Sequence, residues 1–147
     1  KRKWNENNQR LFYVPNEASL WQLYKKKSLG SQGQCQQKQS WGSAAIKKNA
    51  VSNNCILVDC LTLWLTNLMM KEYDIDTAID ELIGIIRSAP GEIIFISSEV
   101  GLGIVPENSM ARRFRDLSGK LHQKLAMEAE HVLLMVAGIP MVVKGKL

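Results

Sequence analysis

The 147-residue sequence contains no run of eighteen or more apolar residues, and its opening stretch, KRKWNENNQR, places no apolar segment behind its charges. These absences predict neither a membrane span nor a signal peptide, and therefore a cytoplasmic location. Cysteine is scarce. Cys35, Cys55 and Cys60 form no CxxC pair, and an odd count at these spacings argues against both a disulfide framework and a zinc site. They are expected to be reduced thiols, with Cys55 and Cys60 on buried strand positions. Histidine is scarcer still: His122 and His131 are the two present, neither has a second histidine or a cysteine nearby, and a metal role is expected of neither. A repeat with a period of 20 to 50 residues is also lacking, which excludes solenoids and propellers.

What is present is enough apolar material, 46% of the residues, to bury one proper core. The charge is unevenly divided. Residues 1 to 54 hold ten Lys/Arg against two acids, Glu6 and Glu17, for a net +8, whereas residues 55 to 147 hold nine against twelve, for a net −3. The first segment is also crowded with Gln and Asn, as in SQGQCQQKQS, and sustains neither a 3.6 nor a 2.0 period. It reads as a basic, irregular arm, and residues 55 to 147 as an α/β core of nucleotide-binding type. Trp4, Phe12, Tyr13, Trp21, Tyr24 and Trp41 are interleaved with the arm's cations. That composition fits a non-catalytic binding module meeting an acidic partner, a membrane surface or nucleic acid, or else a solvated tail. No nucleic-acid motif accompanies it, so a nucleic-acid partner is not expected.

From Cys55 onward, short apolar runs alternate with amphipathic stretches in the order of an α/β domain. Cys55 to Val58 is continuously apolar and ends at Asp59, the form of a parallel strand covered on both faces. Ile75, Ala78, Ile79, Leu82, Ile83 and Ile86 keep the spacing of one helical face, with Asp74 or Asp76 as cap and Pro90-Gly91 as stop. Ile93 to Ile96 predicts a second buried strand, followed by the glycine-bearing loop SSEVGLGIVPEN. A second helix is predicted from Ser109, its N-cap, to about Glu130, with Met110, Phe114, Leu117, Leu121 and Leu125 in one stripe. Val132 to Ala137 predicts a third strand, Gly138-Ile139-Pro140 a turn, and Met141 to Val143 a short edge strand.

The chemistry-bearing residues cluster at the predicted strand ends, where open α/β sheets bind ligands. Asp59 closing ILVD has the Walker-B form, a carboxylate at a strand tip able to hold Mg²⁺ beside a nucleotide; equally, it can end the strand and cap the next turn. Thr62 and Asn67 read as ligands or as cap groups, and Trp64 and Met69 as core. Glu99, Gly101 and Gly103 offer one carboxylate and loop amides to a phosphate or a cation. Arg112, Arg113 and Arg115 lie in the first two turns of the second helix, where cations oppose the helix dipole and can instead grip an anion. The other reading is a solvated basic face paired with Glu107 or Asp116.

Taken in order, VDCLTLWLTN (58 to 67), EVGLGIVPEN (99 to 108), ARRFRDLSGKLHQKLA (111 to 126) and VLLMVAGIPMVVK near the end resemble the adenosylcobinamide kinase/adenosylcobinamide-phosphate guanylyltransferase family of cobalamin biosynthesis. The resemblance covers about two thirds of the chain. It implies a P-loop-NTPase-like parallel sheet flanked by helices, usually a homotrimer, that uses Mg²⁺ with GTP or ATP. Such proteins phosphorylate adenosylcobinamide and then transfer GMP from GTP onto the phosphate through a histidine-bound GMP. Asp59 matches the family's nucleotide-contacting strand-end acid, which the resemblance makes a candidate Mg²⁺ ligand, and Glu99, Gly101, Gly103, Pro106, Arg113, Arg115 and Asp116 match motif positions. The sequence departs from the pattern at Ser98, where Asn is usual, and at His122, where Asn again is usual. It also has no Gly-Lys-Ser/Thr and no histidine before His122. The P-loop strand is accordingly expected to be missing, no residue is assigned a catalytic role, and the chain as it stands is expected neither to transfer a γ-phosphate nor to carry a guanylyl group.

Overall fold

The computed structural model describes residues 11–14, 43–52 and 55–146. In chain order the elements are β1 (Leu11–Val14), α1 (Ser43–Asn49), β2 (Cys55–Asp59), α2 (Leu61–Met70), α3 (Ile75–Ser88), β3 (Glu92–Ile96), α4 (Ser109–Glu128), β4 (His131–Val136) and β5 (Ile139–Lys144). The strands form one sheet in the order β2-β3-β1-β4-β5, with β2, β3, β1 and β4 parallel and β5 antiparallel to β4. This is a mixed α/β protein with a small, mainly parallel sheet and flanking helices.

Two findings amend the expectations for the first 54 residues. Leu11–Val14 is a strand at the centre of the sheet, in register with Ile93–Ile96 on one side and with His131 and Val132 on the other. The sheet thus has its first strand, where the sequence predicted one missing. Ser43–Asn49 is a helix that packs on α3, and Ile46 and Ala50 join the core. Both segments are too short to display a period, so the polar sequence around them masks their character.

The register explains how one side of the sheet is sealed. Ile56 and Val58 of β2 stand beside Ile93 and Phe95 of β3, on the side where Phe95 is completely buried. Leu65 of α2, Ile79 of α3, and Leu121 and Leu125 of α4 are buried in the same core, and the three helices pack against one another. Removing each such side chain from water contributes about 1.5–3 kcal/mol. The neighbouring row Leu57, Ile94 and Ile96 stays half-exposed, so β2 and β3 are not fully covered on both faces as their continuous apolar runs suggested.

Local signals explain most helix ends. Asp74 caps α3 by accepting from the Asp76 and Thr77 amides, and bonds to the Thr77 side chain and amide hold its carboxyl below the usual carboxylate range. For α4 the cap is Asn108, whose side chain accepts from Ala111 N–H at 3.1 Å; the expected cap, Ser109, is the first helical residue instead. Both are good capping types one residue apart, and only the backbone geometry chooses between them. Met110, expected in the buried stripe, is exposed. Trp64 is buried and Met69 half-buried, both in the core as expected. The seam between α3 and α4 is lined by ion pairs Asp76–Lys120, Asp80–Lys124 and Arg87–Glu128, which at this exposure add little stability.

The β4–β5 hairpin turns on Ala137 and Gly138, with φ values of 50° and 78°, a two-residue turn placed one position ahead of the expected Gly138-Ile139-Pro140. Cys55 is exposed at the start of β2 and Cys60 half-buried just before α2; neither occupies the buried strand position expected of it. Cys35 lies outside the described residues. No helix among the described residues is long and apolar enough to cross a membrane.

Gly84 is exposed in the middle of α3, and a Cβ there would meet nothing within 4 Å. Gly84→Ala is expected to stabilise the protein by about 0.5–1 kcal/mol, read as a higher melting temperature in thermal unfolding.

Candidate functional site

The strand order creates a topological switch point. β1 and β3 are neighbours, yet the chain leaving β1 goes to β2 on one side while the chain leaving β3 crosses over β1 to β4 on the other. The two connections diverge from adjacent strands, and the carboxyl ends at such a switch point are the place where open α/β sheets hold ligands. The segment that leaves β3 here is Ser97, Ser98, Glu99 and the glycine-bearing loop. Asp59 reaches the same edge from β2, in register with Ile96. Its carboxylate is exposed and makes no hydrogen bond among the described residues, so no cap or turn consumes it.

Around the end of β3 the structure assembles a polar network that spans three elements. Thr62, in the first turn of α2, accepts the Ser98 N–H on its Oγ1 at 2.8 Å and stands 3.4 Å from Ser97 Oγ. Ser97 Oγ lies 2.8 Å from His122 Nε2, and Ser118 Oγ, one turn earlier on α4, lies 3.4 Å from the same nitrogen. Ser97 and Ser118 are 1% and 2% exposed, so these hydroxyls have no access to solvent and must find partners within the protein. Burial pushes the His122 imidazole below its ordinary value, and the Glu99 carboxylate pulls it part of the way back. The ring is therefore neutral at pH 7.

The loop itself is held at both ends. Glu99 folds its carboxylate back onto the Gly101 N–H at 2.5 Å. A Cβ on Gly101 would come within 2.8 Å of that carboxylate, whereas a Cβ on Gly103 would meet nothing within 4 Å. At the far end, Arg112 donates to the Pro106 and Glu107 carbonyls at 3.0 and 2.6 Å. Between these anchors Leu102, Ile104 and Val105 are exposed. Of the arginines at the start of α4, Arg115 pairs with Asp116 at 3.1 Å, and Arg113 has no hydrogen-bond partner among the described residues.

Thus Asp59, Thr62 and Glu99 come to one edge of the sheet, with Gly101 and Gly103 in the loop that follows. Arg113 and Arg115 stand at the start of the helix after that loop, without a bond to the others. Ser97, Ser118 and His122 were not candidates in the sequence: a serine at a strand end and a histidine on a helix look structural until their contacts are seen. Arg112 was read with its neighbours as an anion ligand and is occupied by the loop's carbonyls. No group of three or more His, Cys, Asp or Glu suited to a metal ion occurs among the described residues.

A parallel sheet with a charged, glycine-bearing loop at its switch point defines an open α/β protein with its ligand edge at the strands' carboxyl ends. The chain belongs to the CobU family, cobinamide kinase / cobinamide phosphate guanyltransferase, whose family model matches residues 33–143. The match begins well ahead of Cys55. The chain is 42% identical over 106 residues to the bifunctional adenosylcobalamin biosynthesis protein CobP of Pseudomonas aeruginosa, covering 71% of this chain and 61% of that protein. It is 35% identical over 114 residues to the bifunctional adenosylcobalamin biosynthesis protein CobU of Salmonella typhimurium, covering 67% and 63%. Against CobU of Escherichia coli it is 36% identical over 107 residues, covering 63% and 59%. The chain therefore spans about three fifths of the length of the curated relatives it matches.

The neutral, buried His122 makes stability depend on pH. Its folded-state value lies below the ordinary 6.5, so as pH falls below about 6.5 the unfolded chain takes up a proton that the folded protein resists. Stability contributed by the neutral ring is full above that pH and is lost on acidification towards the folded value. In melting curves between pH 7.5 and 5, the wild type is expected to lose melting temperature more steeply than His122→Gln, which has nothing to titrate at this position.

Proposed function

We propose that this chain binds a nucleotide at the carboxyl edge of its sheet, through Asp59, Thr62, Glu99, Gly101, Gly103, Arg113 and Arg115. The family's reactions are phosphorylation of adenosylcobinamide and transfer of GMP from GTP to adenosylcobinamide phosphate; on this reading the chain contributes nucleotide binding to them and, without a Gly-Lys-Ser/Thr loop or a histidine before His122, catalyses neither transfer by itself. The observation that carries this reading is the convergence of the family's motifs on the switch point, with Asp59 unpaired beside the Glu99 loop.

The chemistry of the donors fits a Mg²⁺–nucleotide. Mg²⁺ keeps several waters and takes one or two protein carboxylates together with substrate phosphates, so the exposed, unpaired Asp59 is a sufficient protein ligand. Bound there, the ion would neutralise phosphate charge. Arg113, which has no hydrogen-bond partner among the described residues, is available to grip a phosphate with its planar fork, reinforced by the positive end of the α4 dipole. The Gly103 amide is free of side-chain crowding. A phosphate approaching the Gly101 amide has to displace the Glu99 carboxylate, which couples ligand entry to a movement of that side chain. Adenosylcobinamide is the second substrate on this reading. The exposed apolar row on the β4–β5 hairpin, with Ile139, Met141 and Val143, suits packing between copies in a homo-oligomer, a trimer by family.

Calorimetric titration of the whole chain with Mg²⁺–GTP and Mg²⁺–ATP tests the assignment. The wild type is expected to bind, and Asp59→Asn to weaken binding roughly tenfold, about 1.4 kcal/mol, with no change in melting temperature. Wild-type affinity in Asp59→Asn together with a large fall in melting temperature would make Asp59 a structural residue.

A further inference from the structure

The network at the end of β3 has a direction, and that direction assigns work to a residue outside the proposed ligand set. The Ser98 N–H donates to Thr62 Oγ1 at 2.8 Å, which commits a lone pair of that oxygen and leaves its hydroxyl proton free to point at Ser97 Oγ, 3.4 Å away. Ser97 in turn has one proton to give, and His122 Nε2 stands 2.8 Å from it. With the ring proton on Nδ1, each member donates to the next: Ser98 to Thr62, Thr62 to Ser97, Ser97 to His122. The 3.4 Å step is the weakest of the three. Buried chains of this kind are worth most when every member is satisfied, and no buried side-chain nitrogen or oxygen among the described residues lacks a partner.

We propose that His122 is a positioning residue: as the acceptor for Ser97 in this chain it fixes the Thr62 and Ser97 hydroxyls and thereby the backbone at Ser98, where the Glu99 loop leaves the sheet. Sequence separations of 25 and 36 residues are bridged in two steps, so α4, β3 and α2 are tied together at the one point where the loop departs. Ser118 Oγ, 3.4 Å from Nε2, closes the other side of the ring nitrogen. α2 carries no ionisable side chain, and among the described residues the Glu99 carboxylate, on the loop being positioned, bears on the ring. The importance of that loop to function rests on the nucleotide-binding reading; the tether itself does not.

Amide hydrogen exchange on the full chain, without ligand, at pH 7.5, reads the tether directly. His122→Phe keeps the ring's bulk and removes the acceptor; Ser98 and Glu99 amides are expected to exchange about tenfold faster, while those of Ile93–Ile96 and the middle of α4 stay as in the wild type. His122→Gln places an acceptor near the position of Nε2 and is expected to restore most of the protection, whereas the shorter Asn is not. Thr62→Val, which breaks the chain at its other end, should reproduce the Phe result and serves as the measurement should His122→Phe fail to fold. Unchanged exchange at Ser98 in the Phe and Val variants would overturn the proposal, as would a uniform rise across β3 and α4 or a failure of Gln to restore what Phe removes. Loss of Mg²⁺–GTP binding by the wild type would sink the nucleotide reading and leave this exchange result standing.

Discussion

β3 is bonded on both edges, by β2 and by β1, and its Phe95 is sealed under the helices, so the rest of the molecule is arranged around its position. Because these strands are parallel, their carboxyl ends emerge side by side on one edge of the sheet. That single constraint brings Asp59 of β2 and the Ser97–Glu99 segment after β3 together without any special device. It also obliges the connections to cross over as helices, which supplies the layer that buries Ile79, Leu121 and Leu125.

Where the apolar packing ends, a polar network takes over. Ser97 directly follows the buried strand and is itself 1% exposed, so its hydroxyl has to be satisfied by neighbours. His122 and Thr62 do this from two different helices, at the point where a loop with exposed Leu102, Ile104 and Val105 leaves the sheet. Asp59 and Arg113 take no part in the hydrogen bonds of this network. The Glu99 carboxylate, by contrast, rests on the Gly101 amide.

Family membership and geometry bear on different questions. The family is established by the match over residues 33–143, and it brings with it cobalamin-biosynthesis kinase and nucleotidyltransferase chemistry as the context. Residues 15 to 42, between β1 and α1, contain no Gly-Lys-Ser/Thr, the element that in P-loop proteins cradles phosphates after the first strand. The edge proposed above as a nucleotide site presents carboxylates, arginines and loop amides instead.

What the sequence determined by itself is what depends on near neighbours. The 3.6-residue spacing of Ile75 to Ile86, the Asp74 cap reaching two and three residues ahead, the stop at Pro90-Gly91 and the exposed acid at the tip of ILVD all follow from interactions within a few residues, and all stand in the structure. The α/β order from residue 55 onward was legible for the same reason. Tertiary structure alone decided the rest. Leu11–Val14 shows no period and becomes a strand only because β3 and β4 offer it unpaired edges from some eighty and 120 residues away. Cys55 is apolar in type yet exposed at the start of its strand, Met110 belongs to the right stripe but is exposed in the first turn of its helix, and Asn108 displaces Ser109 as cap by backbone geometry. His122 looks like any helical histidine until Ser97 arrives from 25 residues away to complete its environment. Hydrogen bonds and burial across such distances leave no periodic trace, because the residues that make them are chosen by the fold and not by their neighbours in the chain.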